Sequence, residues 1–391
     1  MKYAVESPIT NCWKKVKAKK ISVEHINVFT GKEGYAYSHH AQLTSINGKL
    51  IATWSCGFKN EDDPGQKMVM STSDDKGDTW SDAFPVVDCK PGKYADAIIT
   101  SMGIRKFNNK LIAYYGSYEY SDKALIKDSS PPERIPIGKR LWPADEDFWS
   151  FGEKAEIIVS DNLGATWSEP VGCIEGFIPN MPPAELKSGR LIIPGHLLFP
   201  YTDDAEGISG WKKTGIYGLS EDFIDGPGRF QRELKRRGLS HGFCEASFYQ
   251  TDDEVIHMML RTAKEAGLLA VTESYDDGET WSDPVYTGFS DCGNRFHFGR
   301  LPDGRFIAVS CPEYMSPRTP LVVQISNDGT IFDKHFIIGE EQIRKPRMPG
   351  NMKGGRYGYP VYHIMEDNMY VIYSTCKEDI NICRFCLSSL C

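Results

Sequence analysis

Short apolar runs of strand length follow one another along most of the chain, and polar turns rich in glycine, aspartate and serine separate them. Four of the runs, KMVMSTS, AEIIVS, LLAVTES and LVVQIS, lead into similar turns, and a further strand-like run follows each turn. Two such runs around a short polar turn predict a β-hairpin. A hairpin that recurs at intervals along a chain indicates a repeat architecture.

The four turns share the pattern Ser-x-Asp-x-Gly-x-Thr-Trp. Residues 73–80 and 274–281 fit it fully, residues 160–167 carry Asn162 in place of the aspartate, and residues 326–332 form a shorter copy that ends in phenylalanine. The aspartate or asparagine side chain accepts hydrogen bonds from amides of its own turn, and glycine adopts the positive φ that the turn needs. We therefore expect these turns to be structural, with each tryptophan packed between neighbouring repeats.

The remaining strand signals group around these hairpins into six units of four strands. We predict an all-β fold, a six-bladed β-propeller with four-stranded antiparallel blades, in which ring closure removes exposed sheet edges. Residues 21–29 would close the last blade as an N-terminal strand, and one blade would lack its turn motif, at YGLSEDF. The chain would form a single domain over residues 1–391, with an insertion loop at residues 117–152. The predicted inner strands lie near residues 38–45, 97–104, 182–187, 244–250, 293–300 and 357–364.

Composition narrows the functional classes. The chain has 391 residues and a net charge of −8, which argues against nucleic acid or an anionic membrane as a partner. The N-terminal sequence MKYAVESPITNCWKK lacks an apolar segment of signal-peptide length, and no apolar run reaches membrane-spanning length, so we expect a cytoplasmic protein. Its eleven cysteines are then expected to be free thiols, and we expect neither a metal nor another cofactor.

The spaced Asp-containing turns in a six-unit chain resemble those of the Asp-box, or BNR-repeat, sialidase superfamily. The resemblance covers nearly the whole chain and implies a carbohydrate substrate. Sialidases hold the substrate carboxylate with three arginines, use a tyrosine nucleophile partnered by a glutamate, and protonate the leaving group with an aspartate on a flexible loop. The resemblance carries these roles to particular positions of this sequence.

The glutamate, two arginines and the tyrosine have counterparts in the second half of the chain. Glu245, in CEASFYQ, begins an inner strand, and Arg261, in HMMLRT, ends the next strand, as the family's glutamate and second arginine do. Arg318, in SPRTPLVVQIS, precedes the strand before the fourth turn, as the third arginine does. Tyr359, in RYGYPVYHI, begins the last inner strand at the place of the nucleophile, and Tyr357, on the same face of that strand, is the alternative.

The first blade departs from the family pattern. Its loop NEDDPGQKMVM offers Asp62 or Asp63 as the acid/base group, but its inner strand reads YSHHAQLTS, so His39 or His40 stands where the first arginine is expected. Neighbouring residues of a strand face opposite sides, so only one histidine should face the channel. An Arg-Ile-Pro sequence occurs only at residues 134–136, within the insertion loop. Further candidates for substrate contacts from inner strands are His297, Glu185 and either Asn294 or Arg295.

These residues favour a carbohydrate-active enzyme. We expect an exo-acting glycoside hydrolase that releases a terminal anionic sugar from small glycans by a retaining mechanism, with Tyr359 as nucleophile and Glu245 as its base. The alternative is a lyase that acts on a uronate by β-elimination, with His39 or His40 and Tyr359 as base and acid. A non-catalytic carbohydrate-binding propeller is the second alternative. An unsaturated uronate product, which absorbs ultraviolet light, would distinguish the lyase from the hydrolase.

Overall fold

A computed structural model describes residues 4–122, 150–226, 236, 242–350 and 352–391. Its regular structure is almost entirely β-strand. In chain order, the strands of these ranges are β1 (Val5–Thr10), β2 (Lys19–Lys20), β3 (Glu24–Phe29), β4 (Tyr37–Ile46), β5 (Lys49–Gly57), β6 (Lys67–Ser73), β7 (Phe84–Val87), β8 (Ile98–Phe107), β9 (Lys110–Tyr120), β10 (Ser150–Ser160), β11 (Gly172–Glu175), β12 (Ala184–Glu185), β13 (Leu191–Ile192), β14 (Tyr201–Thr202), β15 (Cys244–Gln250), β16 (Ile256–Arg261), β17 (Leu268–Ser274), β18 (Val285–Ser290), β19 (His297–Arg300), β20 (Phe306–Ser310), β21 (Leu321–Ser326), β22 (Phe332–Gly339), β23 (Gly358–Met365), β24 (Asn368–Thr375) and β25 (Asp379–Cys386).

These strands form six sheets, each built from strands that are consecutive in the chain and pair antiparallel. The sheets are β4–β7, β8–β11, β12–β14, β15–β18, β19–β22 and β23–β25. The first strand of every sheet is the one that the sequence pattern predicts to be innermost. The six-bladed, all-β prediction is therefore confirmed at the level of sheets and strand order.

The N-terminal segment adds strands to the outer edges of three sheets. β3 pairs antiparallel with β25 and becomes the fourth strand of the last sheet, as predicted from residues 21–29. β1 pairs parallel with β18, and β2 pairs parallel with β22. These two parallel additions are not apparent from the sequence, because β2 has only two residues and β1 shows no regular alternation.

Apolar clusters pack each sheet against the next. Leu50 and Trp54 of the first sheet pack with Tyr370 and Ile382 of the sixth, so the last blade contacts the first. Separate clusters fill the junctions of the first sheet with the second, of the second with the third and fourth, of the fourth with the fifth and of the fifth with the sixth. Burial of these aliphatic and aromatic faces is the main force that holds the blades together.

The Asp-box turns are closed by their own side chains, as predicted. In the copy at residues 274–281, the Ser274 hydroxyl donates to Asp276 (2.9 Å), the Gly278 amide donates to Ser274 Oγ (2.8 Å) and the Thr280 amide donates to Asp276 Oδ1 (2.8 Å). The ring of Trp281 lies 4.7 Å from that of Phe199, at the junction between the third and fourth sheets. The same bonds recur in the copies at residues 73–80, 160–167 and 326–332.

The third blade and the insertion differ from the prediction. Within the described ranges the third sheet has three strands of two residues each instead of four longer ones. The insertion loop is shorter than residues 117–152, because Ser150 pairs with Tyr120 and extends β9 and β10 into its two ends. Residues 123–149, which include the Arg-Ile-Pro sequence, lie outside the described residues.

Helical structure is sparse. Short 3-10 helices occur at Ile216–Gly218 and Leu387–Leu390. No helix within the described part of the chain combines the length and apolar character needed to cross a membrane. All eleven cysteines are free thiols.

Candidate active site

The phenol of Tyr359, the carboxylate of Glu245 and the guanidinium of Arg261 contact one another. Tyr359 lies at the start of β23, Glu245 at the start of β15 and Arg261 at the end of β16. The Tyr359 hydroxyl donates to Glu245 Oε1. Arg261 Nη1 lies 3.0 and 2.9 Å from the two Glu245 oxygens and 3.1 Å from the Tyr359 hydroxyl. Tyr359 and Glu245 are both 6% exposed, so this contact is shielded from water.

The charges of this group are fixed by burial and by the ion pair. Burial raises the pKa of Tyr359 well above its ordinary value, and the negative charge of Glu245 raises it further. Burial also acts to raise the pKa of Glu245, but the positive charges of Arg261 and His196 and the hydrogen bonds from Cys244 and Tyr359 together hold that pKa below its usual range. At neutral pH the proton therefore resides on Tyr359, and Glu245 is an ionised acceptor beside it.

Tyr359 adopts a backbone conformation that is uncommon for a residue with a side chain. Its φ is 54°, in the left-handed region. The side chain of the fully buried Asn294 holds the main chain on both sides of this point. Asn294 Nδ2 donates to the Tyr357 carbonyl (2.7 Å), and its Oδ1 accepts from the Tyr359 amide (3.2 Å). Asn294, one of the fifth-blade candidates of the sequence analysis, thus belongs to the site through the main chain around Tyr359.

Two further arginines stand over the ring of Tyr359. The guanidinium carbons of Arg295 and Arg318 lie 4.8 and 5.3 Å from the ring centre. Arg295 is 1% exposed, and burial lowers its pKa to about 10, so it is still cationic at neutral pH. Its Nη1 donates to the Asn180 carbonyl (2.6 Å), whereas Nε and Nη2 have no hydrogen-bond partner among the described residues. Unpaired buried guanidinium groups are suited to an incoming carboxylate or similar anion.

Both histidines of the first blade lie beside Tyr359, so the expectation that only one would face the channel is wrong. The ring centres of His39 and His40 lie 4.1 and 5.5 Å from that of Tyr359. His40 has a φ of 56°, and the register of β4 against β5 shifts between His39 and Gln42. Such a bulge breaks the alternation of side chains along a strand.

The two histidines are neutral and held at one ring nitrogen. His39 Nδ1 lies 2.7 Å from Ser374 Oγ, and His40 Nδ1 lies 3.0 Å from Ser55 Oγ. Burial lowers the pKa of His39 well below its ordinary value, and the charge of Lys377 adds to this. Burial lowers the pKa of His40 to about 3, although Glu61 opposes the shift.

Glu61 and Lys377 also belong to this group of contacts, although the sequence analysis named neither. Lys377 Nζ lies 2.6 Å from Glu61 Oε2, the Tyr37 hydroxyl donates to Glu61 Oε1 (3.3 Å), and His40 Nε2 lies 3.9 Å from the same oxygen. Glu61 lies in the loop that the sequence singled out, directly before the two candidate aspartates. The sequence does not single out Lys377, because it lies in a polar turn after the second strand of the last blade.

The two candidate aspartates have different surroundings. Asp63 is fully buried, and its carboxylate accepts the Asn60 amide (2.7 Å) and the Asn60 side chain (3.1 and 3.0 Å). It therefore closes its own loop and is an unsuitable acid. Asp62 is half-buried at a φ of 58°, its amide donates to Gln66 (3.0 Å), and its carbonyl accepts from Tyr120 (2.9 Å). Asp62 therefore stays the candidate acid of the pair.

Tyr357 does not share the face of Tyr359. Its hydroxyl donates to Glu341 Oε2 (2.6 Å), its ring makes an edge contact with Tyr373, and it packs between the fifth and sixth sheets. The left-handed turn of the backbone at Tyr359 breaks the two-residue period on which the prediction relied.

Two other predicted contacts also lie away from this group. The Glu185 side chain is 61% exposed and pairs with Arg105 at 3.6 Å. His297 accepts the Tyr362 amide at Nδ1 (3.1 Å) and packs on the Tyr362 ring at 4.4 Å. Both residues begin or end inner strands as expected, but neither contacts the Tyr359 group in the structure.

Comparison with known proteins shows the family to which this chain belongs. A family model described as a BNR repeat-like domain matches residues 48–372. A search of curated proteins gives no match to this chain.

Several solved structures have similar folds. A protein of unknown function from Dyadobacter fermentans has a TM-score of 0.60 at 16% identity, covering 94% of this chain and 98% of that one. A complex of the NanB sialidase from Streptococcus pneumoniae has a TM-score of 0.61 at 15% identity, covering 93% and 71%. The Trypanosoma rangeli sialidase, in complex with 2,3-difluorosialic acid as a covalent intermediate, has a TM-score of 0.64 at 13% identity, covering 96% of this chain and 60% of that one. At these identities the likeness is one of fold.

Proposed function

Since the chain belongs to the family of BNR repeat-like domains, we propose that it is an exo-acting glycoside hydrolase that releases a terminal anionic sugar from small glycans with retention of configuration. The observation that carries this proposal is the contact of Tyr359 with Glu245 and Arg261. A phenol is a weak nucleophile unless a base receives its proton, and Glu245 already accepts its hydrogen bond.

The charges around Tyr359 define how the attack proceeds. The raised pKa of Tyr359 means that no phenolate exists before the reaction. The proton therefore passes to Glu245 as the phenol oxygen bonds to the anomeric carbon, and Arg261 stabilises the negative charge that the pair shares. Asp62 is the proposed acid that protonates the leaving oxygen in this step. Water then attacks the anomeric carbon of the glycosyl-tyrosine and gives its proton to the Asp62 carboxylate, while the phenol oxygen leaves and takes back the proton from Glu245.

The sugar is proposed to be anionic because of Arg295 and Arg318. Neither forms an ion pair with a described residue, and both stand over the nucleophile. A carboxylate on the anomeric carbon or its neighbour would lie within reach of both guanidinium groups. A phenol in place of a carboxylate nucleophile also avoids repulsion between two negative groups.

A product assay tests the proposal. The purified chain is incubated with sialosides, other nonulosonate glycosides and uronate-capped oligosaccharides, and products are identified by mass spectrometry and by the anomeric signals in NMR. We expect release of one anionic monosaccharide with retained configuration, and Tyr359→Phe should abolish it. Tyr357→Phe is the matched control, because its hydroxyl bonds to Glu341 away from the site. Full activity of Tyr359→Phe would exclude Tyr359 as nucleophile.

The two neutral histidines favour a second candidate function, uronate β-elimination. Either His39 or His40 would remove the proton next to the carboxylate, and Tyr359 would protonate the leaving oxygen. The same assay separates the two reactions, because elimination yields a product with ultraviolet absorbance and hydrolysis does not. Saturable binding of a glycan without any product would instead indicate a binding propeller.

A further inference from the structure

Three side chains with metal-binding atoms converge next to Tyr359. One ligand atom each from His39, His40 and Glu61 can be chosen so that all three lie within 4.8 Å of one another. Two imidazole nitrogens and one carboxylate oxygen form a donor set that suits divalent transition ions such as Zn²⁺, Fe²⁺, Co²⁺ and Ni²⁺. The proposed hydrolysis gives no role to this convergence.

The hydrogen bonds of His39 leave its second nitrogen available as a ligand. The Ser374 hydroxyl donates to the Gly358 carbonyl (3.4 Å), so its oxygen accepts the proton of His39 Nδ1 at 2.7 Å. The lone pair then resides on Nε2, which is fully buried and has no hydrogen-bond partner in the described ranges. A hydrogen bond from Nδ1 that fixes the tautomer is the usual outer support of a metal-bound histidine.

His40 and Glu61 are each also held by a hydrogen bond at one of their two polar side-chain atoms. His40 Nδ1 contacts Ser55 Oγ at 3.0 Å, which leaves Nε2 directed at Glu61 Oε1, 3.9 Å away. The other carboxylate oxygen, Oε2, is held by Lys377 at 2.6 Å. Carboxylates that bind metals are themselves commonly hydrogen-bonded in this way.

The backbone at His40 is a separate observation that favours a metal site here. A regular strand would point His39 and His40 to opposite faces, and the left-handed φ of 56° at His40 prevents this. A non-glycine residue in this region is disfavoured and persists where the surrounding structure enforces it, often at functional sites. Here the result is two imidazole rings 4.7 Å apart on one side of β4.

We propose that His39, His40 and Glu61 bind one divalent transition ion beside Tyr359. The side chains of Lys377, Arg295 and Arg318 already make this region positively charged. The single negative charge of Glu61 therefore does not balance the two positive charges that a divalent ion adds. The remaining coordination positions therefore suit an anionic oxygen, such as one from a sugar carboxylate. The inference is separate from the proposed hydrolysis, which needs no metal.

Metal titration tests this inference directly. The full chain is stripped with a chelator and titrated with Zn²⁺ by calorimetry and with Co²⁺ by visible absorption. We expect one equivalent to bind, with weakening of more than about 100-fold in His39→Ala and His40→Ala and about 10–100-fold in Ser374→Ala. His363→Ala is the matched control, because that residue lies on β23, bonds to Ser45 and should leave the affinity unchanged.

A second measurement needs no variant. Bound Zn²⁺ should protect His40, whose side chain is 13% exposed, from modification by diethyl pyrocarbonate, read by peptide mass spectrometry, relative to the chelator-treated chain. Failure to bind either ion would overturn the inference, as would binding that persists in both histidine variants or metal that does not protect His40. Hydrolysis by the stripped chain is measured in parallel, so that the two proposals fail or stand independently.

Discussion

The Asp-box turns and the candidate active site use similar polar side chains in opposite ways. In the turn at residues 274–281, Ser274 and Asp276 each accept a hydrogen bond from an amide four residues away, and Ser274 donates to Asp276. In the site, Tyr359 and Glu245 are joined across 114 residues. Arg295 there keeps two buried nitrogens without a partner in the described ranges.

The backbones do not show the same difference. Left-handed non-glycine residues occur in the turns, at Lys76, Leu163 and Asp277, as well as in the site, at His40 and Tyr359. The contrast therefore lies in the side chains: those of the turns bond within the turn, and the site keeps unsatisfied charge that a ligand can relieve. Substitutions should accordingly lower stability in the turns and lower activity in the site.

The largest effect is expected from Glu245→Gln. This change removes the base for Tyr359 and the charge that pairs with Arg261, so kcat/KM should fall by about 10²–10⁴. Steady-state kinetics on the substrate found in the product screen measures it. Glu341→Gln is the control, since that carboxylate bonds to Tyr357 and Arg356 outside the site. A loss of less than a few-fold in Glu245→Gln would mean that Glu245, like the turn residues, has only a structural role.

The next effect concerns Asp291, which is 3% exposed and lies close enough to Arg261 to feel its charge. Burial raises the pKa of Asp291 to about 6. The folded chain thus keeps this proton up to about pH 6, whereas the unfolded chain releases it near pH 4. Stability from this group is present at low pH and is lost as the pH rises through about 6, by about 3 kcal/mol in all.

Asp291→Asn imitates the protonated form and tests the direction of this pH dependence of stability. The variant should be more stable than the natural chain at pH 7.5, and its advantage should be about 2 kcal/mol smaller at pH 4.5. Urea unfolding at the two pH values measures the difference. An advantage that is the same at both values would mean that Asp291 titrates normally.

A smaller effect is expected from Asn294→Ala, which removes the acceptor of the Tyr359 amide and leaves the Tyr357 carbonyl with only the weak donor Cys311 Sγ. The unfolding free energy should fall by about 2 kcal/mol. Because Tyr359 is then less well positioned, kcat should fall by about 10–100-fold with little change in KM. Asn11→Ala is the control, since its amide clamps the main chain of Ser290 in the same way but between β1 and β18. An equal loss of kcat in both variants would mean that Asn294 contributes to folding and does not position Tyr359.

The smallest effect is expected in the turns. Asp276→Ala removes the acceptor for Ser274 and Thr280 and should lower the unfolding free energy by about 1 kcal/mol, with kcat/KM unchanged. Asp276→Asn should lose less, because Asn162 forms the same bonds in the copy at residues 160–167. Chemical denaturation and the kinetic assay measure the two quantities. A large loss of activity in Asp276→Ala would contradict a purely structural turn.

The sequence by itself determined the repeat. Each Asp-box turn is closed by bonds within a few residues, and each hairpin joins two short strand-like runs, so both features can be read from local sequence. The order of six sheets and the closing strand Glu24–Phe29 follow from counting these units. The positions of Glu245, Arg261, Arg318 and Tyr359 followed from the resemblance, and the structure brings all four together.

Only the tertiary structure decided what surrounds them. Glu61 and Lys377 join the site through a contact between the first and last blades, and no local pattern marks such a contact. The left-handed residues His40 and Tyr359 overturned two inferences from strand alternation, bringing both histidines to the site and directing Tyr357 away from it. A left-handed non-glycine residue is held by its surroundings and not by its own preference, so its position is a property of the assembled fold.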